Sequence, residues 1–300
     1  MRAMLGISVS LLVAAAGVFS FSDRETSPLG PHRIPVDNMN LTSIERTDSG
    51  IVAAGELGHI LVSSDNGKSW TRAELSHHRH ALITRTRFRD GLNGLAIGHE
   101  GWILRTEDGG NSWQETHFEP GTEPLLGLGM LADRQWMAVG AFGLTLVSND
   151  DGISWSEPSR PLDTDWHLNA LIPSRDGTTW LLAGESGTLF RSTDSGNSWE
   201  SIPEFYNGSL YGGINIDDET WVVYGMRGNI FRSDDNGLNW EQVANPIPAS
   251  VFSHTQLADG RLILAGQGGL LLLSDDGGRH FRPVFRGGRM SLTDIEQLDS

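Results

Sequence analysis

From about Leu41 the chain alternates short apolar runs with polar turns, and the runs are too short for helices. "NLTSIERTD" is followed by "GIVAAG" and "HILVS", and much later "HTQLADG" is followed by "RLILAG" and "LLLLS". Short runs with period-two alternation, bounded by Gly, Asp and Asn, predict β-strands joined by tight turns.

The pattern also repeats. The turn "SSDNGKSW" returns as "RTEDGGNSW", "SNDDGISW", "STDSGNSW", "SDDNGLNW" and "SDDGGRHF". Its aspartates, Asp65, Asp108, Asp150, Asp194, Asp235 and Asp276, are spaced by 43, 42, 44, 41 and 41 residues. A second constant piece stands before each turn: "GELGHILVS", "GHEGWILRT", "GAFGLTLVS", "GESGTLFRS", "GMRGNIFRS" and "GQGGLLLLS". The combined template is G-x-x-G-x-[ILT]-[LF]-x-[ST]-x-D-x-G-x-x-[WF]. The paired glycines predict a tight two-residue hairpin, where positive φ is cheap for Gly. In the second turn the Ser or Thr and the Asp can accept hydrogen bonds from the turn's own N–H groups, and Trp70, Trp113, Trp155, Trp199 or Trp240 anchors it in the apolar layer. Four short strands per repeat of this length predict an all-β fold, a β-propeller of six complete blades.

"SLTDIEQLDS" at the end of the sequence echoes "NLTSIERTDS" near its start. The echo predicts a partial seventh blade, which favours a seven-fold ring, with a six-fold ring and a stray terminal strand as the alternative. The propeller is placed at residues 37–300. Residues 23–36 read as a linker in which "HRIPV" is a candidate ring-closing strand, since an open edge invites aggregation.

Residues 1–22 carry Arg2, an apolar run from Met4 to Phe21 and small residues at Ser20 and Ser22. That is the layout of a secretory signal; the run is also long enough to serve as a membrane anchor. Either reading places the propeller outside the cytoplasm, in a periplasmic or lumenal space. With 38 acidic and 22 basic side chains the net charge is -16, which excludes nucleic acid as a natural partner. The absence of cysteine excludes disulfides, thiolate metal sites and a lipoprotein anchor on the chain.

The repeated turn resembles the Asp box of bacterial neuraminidase (BNR) repeats. Glycine pair and box together, over Leu41 to Ser300, look like the photosystem II stability and assembly factor family. That resemblance implies a seven-bladed, non-enzymatic scaffold on the lumenal side of a membrane, which chaperones a newly made membrane subunit. Similar proteins occur in bacteria without photosynthesis, where docking on an envelope transport system is the corresponding expectation. The family's basic patch transfers only in part. Arg105, Arg191 and Arg232 share one template position, and Val62, Val147 and Leu273 fill it in the other blades.

The competing class is a glycosidase or glycan-binding propeller, because "HRIP" resembles the Arg-Ile-Pro motif of sialidases, whose Arg clamps a substrate carboxylate. Such an enzyme also needs two further arginines, a Tyr–Glu nucleophile pair and an acidic proton donor. The three tyrosines, Tyr206, Tyr211 and Tyr224, stand in no matching context, so no catalytic residue is assigned.

In a four-stranded blade the glycine hairpins and the linkers between blades share one face, opposite the repeated turn. Variation there places Glu56, His99, Glu100, Trp166, His167, Glu185, Tyr206, Tyr211 and Arg227 around one mouth, a mixture that suits a peptide or polar ligand. His77, His78 and His80 form the one dense histidine cluster. Neighbouring residues of an extended chain point opposite ways, so a solvent loop or a pH-sensitive contact is expected there rather than a metal site. One carboxylate per repeated turn falls short of a calcium site. The expectation is thus a monomer without metal or cofactor.

Overall fold

The computed structural model describes residues 39–298, apart from 132–133 and 286. Antiparallel meanders form six blades. Blade one holds β1 (Leu41–Thr47), β2 (Gly50–Gly55), β3 (Ile60–Ser63) and β4 (Thr71–Arg72), and β5 (Glu74–Leu75) leaves it to join blade two. Blade two is β6 (Ile83–Phe88), β7 (Gly94–Gly98), β8 (Ile103–Thr106) and β9 (Ser112–His117). Blade three is β10 (Leu125–Met130), β11 (Trp136–Gly140) and β12 (Thr145–Ser148), with its fourth strand reduced to the bridge Val147–Ser156. Blade four is β13 (Leu168–Pro173), β14 (Trp180–Gly184), β15 (Leu189–Ser192) and β16 (Glu200–Ser201). Blade five is β17 (Leu210–Asn215), β18 (Trp221–Gly225), β19 (Ile230–Ser233) and β20 (Glu241–Val243). Blade six is β21 (Val251–Gln256), β22 (Leu262–Gly266), β23 (Leu270–Ser274) and β24 (Arg282–Phe285).

The expected seventh blade is absent: no strand forms in the described residues after β24, which overturns the favoured seven-fold ring. The physical reason is the want of a ladder partner. Among the described residues no strand lies against "SLTDIEQLDS" to form a ladder with it. What holds the segment instead is a single backbone hydrogen bond, from Leu292 N–H to Gly266 O at 3.0 Å, together with side chains. Thr293 Oγ1 donates to the Leu41 carbonyl at 2.6 Å, and the Asp294 carboxylate accepts from Ile44 N–H and from Ser253 Oγ. The signal or anchor at 1–22, the linker at 23–36 and Arg33 lie outside the described residues. Among the described residues no helix is long and apolar enough to cross a membrane.

Each innermost strand begins with a register shift, as between Leu41 and Ser43 or Ile83 and Arg85. A bulge re-aims the extra side chain. Here it aims at the next blade: Thr42 Oγ1 donates to Ile83 O at 2.5 Å, Thr84 Oγ1 to Leu125 O at 2.6 Å, and Asn169 Nδ2 to Leu210 O at 2.8 Å. The second strand of every blade is buried between its neighbours, with Trp136, Trp180 and Trp221 at the head of three of them. Truncating such a Trp costs about 3–5 kcal/mol.

The repeated turn folds as its residues dictate. In blade one Asp65 accepts from Ser63 Oγ at 2.8 Å, Ser69 N–H at 2.8 Å and Ser69 Oγ at 2.6 Å. Gly67 N–H donates to Ser63 Oγ at 2.8 Å, and Trp70 Nε1 donates back to Gly67 O at 3.1 Å. The Ser69 hydrogen bonds hold the Asp65 carboxyl down to about 2. Asp108, Asp150 and Asp194 repeat the set, and Asp235 and Asp276 do so with Asn239 and His280 in place of the Ser.

The glycine hairpin differs from its expected form. The first glycine is extended, as Gly98 is at φ -167, and the left-handed pair is the residue before the second glycine together with that glycine. Leu57, Glu100, Phe142, Ser186 and Arg227 take φ between 52 and 58 in five of the six turns. The His59 N–H closes on Glu56 O at 3.1 Å, so these are two-residue hairpins of the type that needs positive φ twice. A non-glycine residue pays conformational strain there.

Candidate functional site

Successive turns of a meander alternate between the two ends of its strands. The six hairpins at Glu56–Gly58, His99–Gly101, Ala141–Gly143, Glu185–Gly187, Met226–Gly228 and Gln267–Gly269 therefore share one face with the linkers between blades. Glu56, His99, Glu100, Glu185 and Arg227 stand in these hairpins.

The structure brings part of the expected mouth together between blades three and four. The His167 ring packs edge-on against Phe142 with centroids 4.6 Å apart, its Nδ1 accepts Phe142 N–H at 3.1 Å, and its Nε2 lies 3.7 Å from the Glu185 carboxylate. Trp166 is 51% exposed and Phe142 60% exposed, while the Trp166 carbonyl accepts Gly143 N–H at 3.0 Å. Phe142 was not among the expected site residues. Its signal was in the sequence all the same, as the one aromatic inside a hairpin pair.

Other expected residues go elsewhere. Tyr206 is half-buried, tilts against Phe231 at 5.0 Å and accepts a hydrogen bond from Asn229 Nδ2 at 3.2 Å. Tyr211 leaves the mouth for the central channel, where it packs on Phe252 at 5.6 Å. Tyr224 donates to or accepts from His254 Nδ1 at 2.7 Å. No phenol is hydrogen-bonded to a carboxylate among the described residues. The three template arginines reach across to the next blade's repeated turn: Arg105 Nε donates to Asp151 O at 2.8 Å, Arg191 Nε to Asn236 O at 2.7 Å and Arg232 Nε to Gly277 O at 3.0 Å. Each also pairs with an acid, Arg105 with Glu107, Arg191 with Glu200 and Arg232 with Asp234.

Sequence reasoning missed the central channel, a cavity of about 450 Å³ bounded by innermost strands and the segment after β24. Arg87 lies 3.3 Å from Glu45, and Arg85 lies 3.7 Å from Asp294. Burial pushes the Glu45 and Glu296 carboxyls up, with the neighbouring acids adding to it and Arg87 opposing it. Burial, aided by Arg87, holds His254 down to about 4, and burial raises the Tyr224 phenol. The signal was the alternation of Arg85 and Arg87 in "ITRTRF": at the position of Arg85 the other innermost strands carry Ser, Gly or Ala, and at that of Arg87 they carry Glu, Gly, Ile or Thr.

No protein-family model matches the chain. In sequence it is 30% identical over 154 residues to "Photosystem II assembly lipoprotein Ycf48" of Synechococcus sp. (strain CC9605), covering 50% of this chain and 45% of that protein. A Ycf48 of Prochlorococcus marinus is 26% identical over 178 residues, 58% of this chain and 50% of that one. The chain thus spans about half the length of the relatives it matches. Among solved structures, "YCF48 bound to D1 peptide" superposes with a TM-score of 0.66 at 20% identity, covering 87% of each chain. "YCF48 from Cyanidioschyzon merolae" superposes with a TM-score of 0.65 at 17% identity, covering 83% of this chain and 86% of that one. At those identities the structural likeness speaks for the fold alone. With the sequence relatives beside it, the resemblance read from the repeats holds: this chain is a propeller similar to the photosystem II assembly factors.

Proposed function

We propose that this chain is a non-enzymatic binding protein of a periplasmic or lumenal compartment, which docks on a membrane protein complex during its assembly. The observation that carries the reading is the patch formed by Phe142, His167 and Trp166 on the hairpin face. Exposed aromatics that are held in place, with an acid at their rim, are the usual anchors of a protein interface. The relatives support the direction: they are named as assembly proteins, and one similar solved structure holds a D1 peptide.

The test is a photo-crosslinking residue at Trp166 in intact cells. Crosslinks to one integral membrane protein, lost when Phe142→Ser is added, are expected. Clean labelling with no partner captured, at Trp166 and at Glu100 alike, would count against the reading.

A further inference from the structure

Histidine is unevenly placed. Of the ten in the sequence, His59, His77, His78, His80, His99 and His117 all belong to blades one and two at their hairpin ends. Three of them, His59, His78 and His80, line a groove of about 310 Å³ in blade one, beside Arg72. Its floor is apolar, made by Ile60, Ala73 and Leu75, and Leu57 stands over it 57% exposed.

The groove is cationic without an internal counter-ion. The nearby acid Glu115 is already committed: it takes Arg79 through both oxygens at 2.7 and 2.9 Å, Trp102 Nε1 at 2.8 Å, and has His77 Nδ1 at 3.8 Å. Arg79 is further fixed over the Phe118 ring at 4.0 Å. Glu56 of the hairpin and Glu74 of β5 do not line the groove, and Arg72 forms no ion pair with a carboxylate among the described residues. Of the groups acting on His59, burial, Arg72, His80 and His78 disfavour its proton and Glu56 favours it. These imidazoles repel one another when charged, so an outside anion relieves a repulsion that the fold leaves standing.

We propose that this groove is a docking subsite for an acidic peptide segment, which seats an apolar side chain against Leu57, Ile60 and Leu75 and sets carboxylates against Arg72 and the three imidazoles, so that binding tightens as the imidazoles take up protons. Charge complementarity selects the occupant. The chain as a whole carries -16 and on balance repels an acidic segment, whereas this groove offers one permanent and three conditional positive charges above an apolar floor. No group of three metal-type side chains converges among the described residues. The subsite lies on the hairpin face but does not rest on the aromatic patch, and the two are tested by separate measurements.

The experiment uses the purified full chain and a fluorescein-labelled peptide of alternating glutamate and leucine, read by fluorescence anisotropy. A glutamine-for-glutamate peptide is the control. Glutamate stays ionised at about pH 5.5 while histidine charges, so affinity for the glutamate peptide is expected to rise about tenfold between about pH 7.5 and pH 5.5. The control peptide should show no such rise. The variant H59Q/H78Q/H80N should flatten it, and Arg72→Gln should weaken binding at both pH values. Should the triple variant fail to fold, H78Q/H80N, confined to an exposed loop, must cut the rise by half or more. No binding of the glutamate peptide at either pH, or a full rise in a folded histidine variant, overturns the proposal, the latter because general loss of negative charge would then explain it. Displacement by inorganic phosphate as readily as by unlabelled peptide would likewise overturn it, since a bare anion site has no use for the apolar floor.

Discussion

Asp294 joins Ile44 across 250 residues of chain, its Oδ2 accepting the Ile44 amide hydrogen at 3.0 Å. The same carboxylate accepts from Ser253 Oγ and faces Arg85, so one side chain ties the innermost strands of blades six, one and two. Removing it leaves a partly buried N–H and hydroxyl unpaired, and each such loss costs about 1–3 kcal/mol. Asp294→Ala is expected to destabilise the protein by about 2–3 kcal/mol in urea unfolding, with Asp294→Asn recovering part of that. A midpoint unchanged within error in both variants would mean that the segment after β24 does not hold the blades together.

Arg191 tests whether the template arginines are structural ties or a docking patch. Its Nε bonds Asn236 O, 45 residues on, while Nη1 meets Glu200 at 2.7 Å. Arg191→Ala is expected to cost about 1–2 kcal/mol in stability, mostly from the orphaned carbonyl, since the Glu200 pair is exposed and contributes little. Crosslinking from Trp166 should be unchanged. Normal stability with lost crosslinking would restore the patch reading.

What the sequence made legible divides by range. The repeated turn could be read because its partners are neighbours: Asp65 finds Ser63 and Ser69 without help from the rest of the fold. The arginine ties could not, because the carbonyl that each meets belongs to the next blade and becomes a neighbour only when the ring is built. The same limit hid the channel, where Glu45 and Arg87 come from separate blades. The seventh blade failed for a related reason. "SLTDIEQLDS" does carry a Thr that bonds the next blade as Thr42 and Thr84 do, but a strand also needs a partner strand, and sequence echo alone supplies none. The hairpin form was misjudged because glycine marked only one of two left-handed positions, and the other carries Leu, Glu, Phe, Ser or Arg.

His254 gives the fold a pH dependence of definite sign. Burial holds its imidazole down to about 4, below the ordinary 6.5, so the unfolded chain takes up a proton that the native state refuses. Stability from this group is therefore complete above about pH 7 and falls as pH drops from 6.5 towards 4, by about 2 kcal/mol between pH 7 and 5. Glu45 and Glu296 act in the opposite sense, since their raised carboxyls favour the native state on acidification, so the wild-type slope is a difference of the two. Comparison with His254→Gln, which retains an acceptor for the Tyr224 hydroxyl, isolates the histidine. The variant should lose less stability than wild type from pH 7 to 5; parallel curves would refute the assignment.

Phe142 sets stability against recognition at a single position. Its φ of 52 is strained for any residue with a side chain, and its ring is 60% exposed, so the fold gains little from keeping it. Glycine relieves the strain but adds freedom to the unfolded chain, two effects that nearly offset, so Phe142→Gly is expected to change stability by less than about 1 kcal/mol in either direction. The ring's packing on His167 is then lost, and with it the fixed orientation of the patch beside Trp166. Crosslinking yield from Trp166 should fall several-fold while the unfolding midpoint hardly moves. Phe142→Tyr, which restores an aromatic edge at the same backbone strain, should return the yield; failure of both Tyr and wild type to differ from Gly would remove Phe142 from the interface.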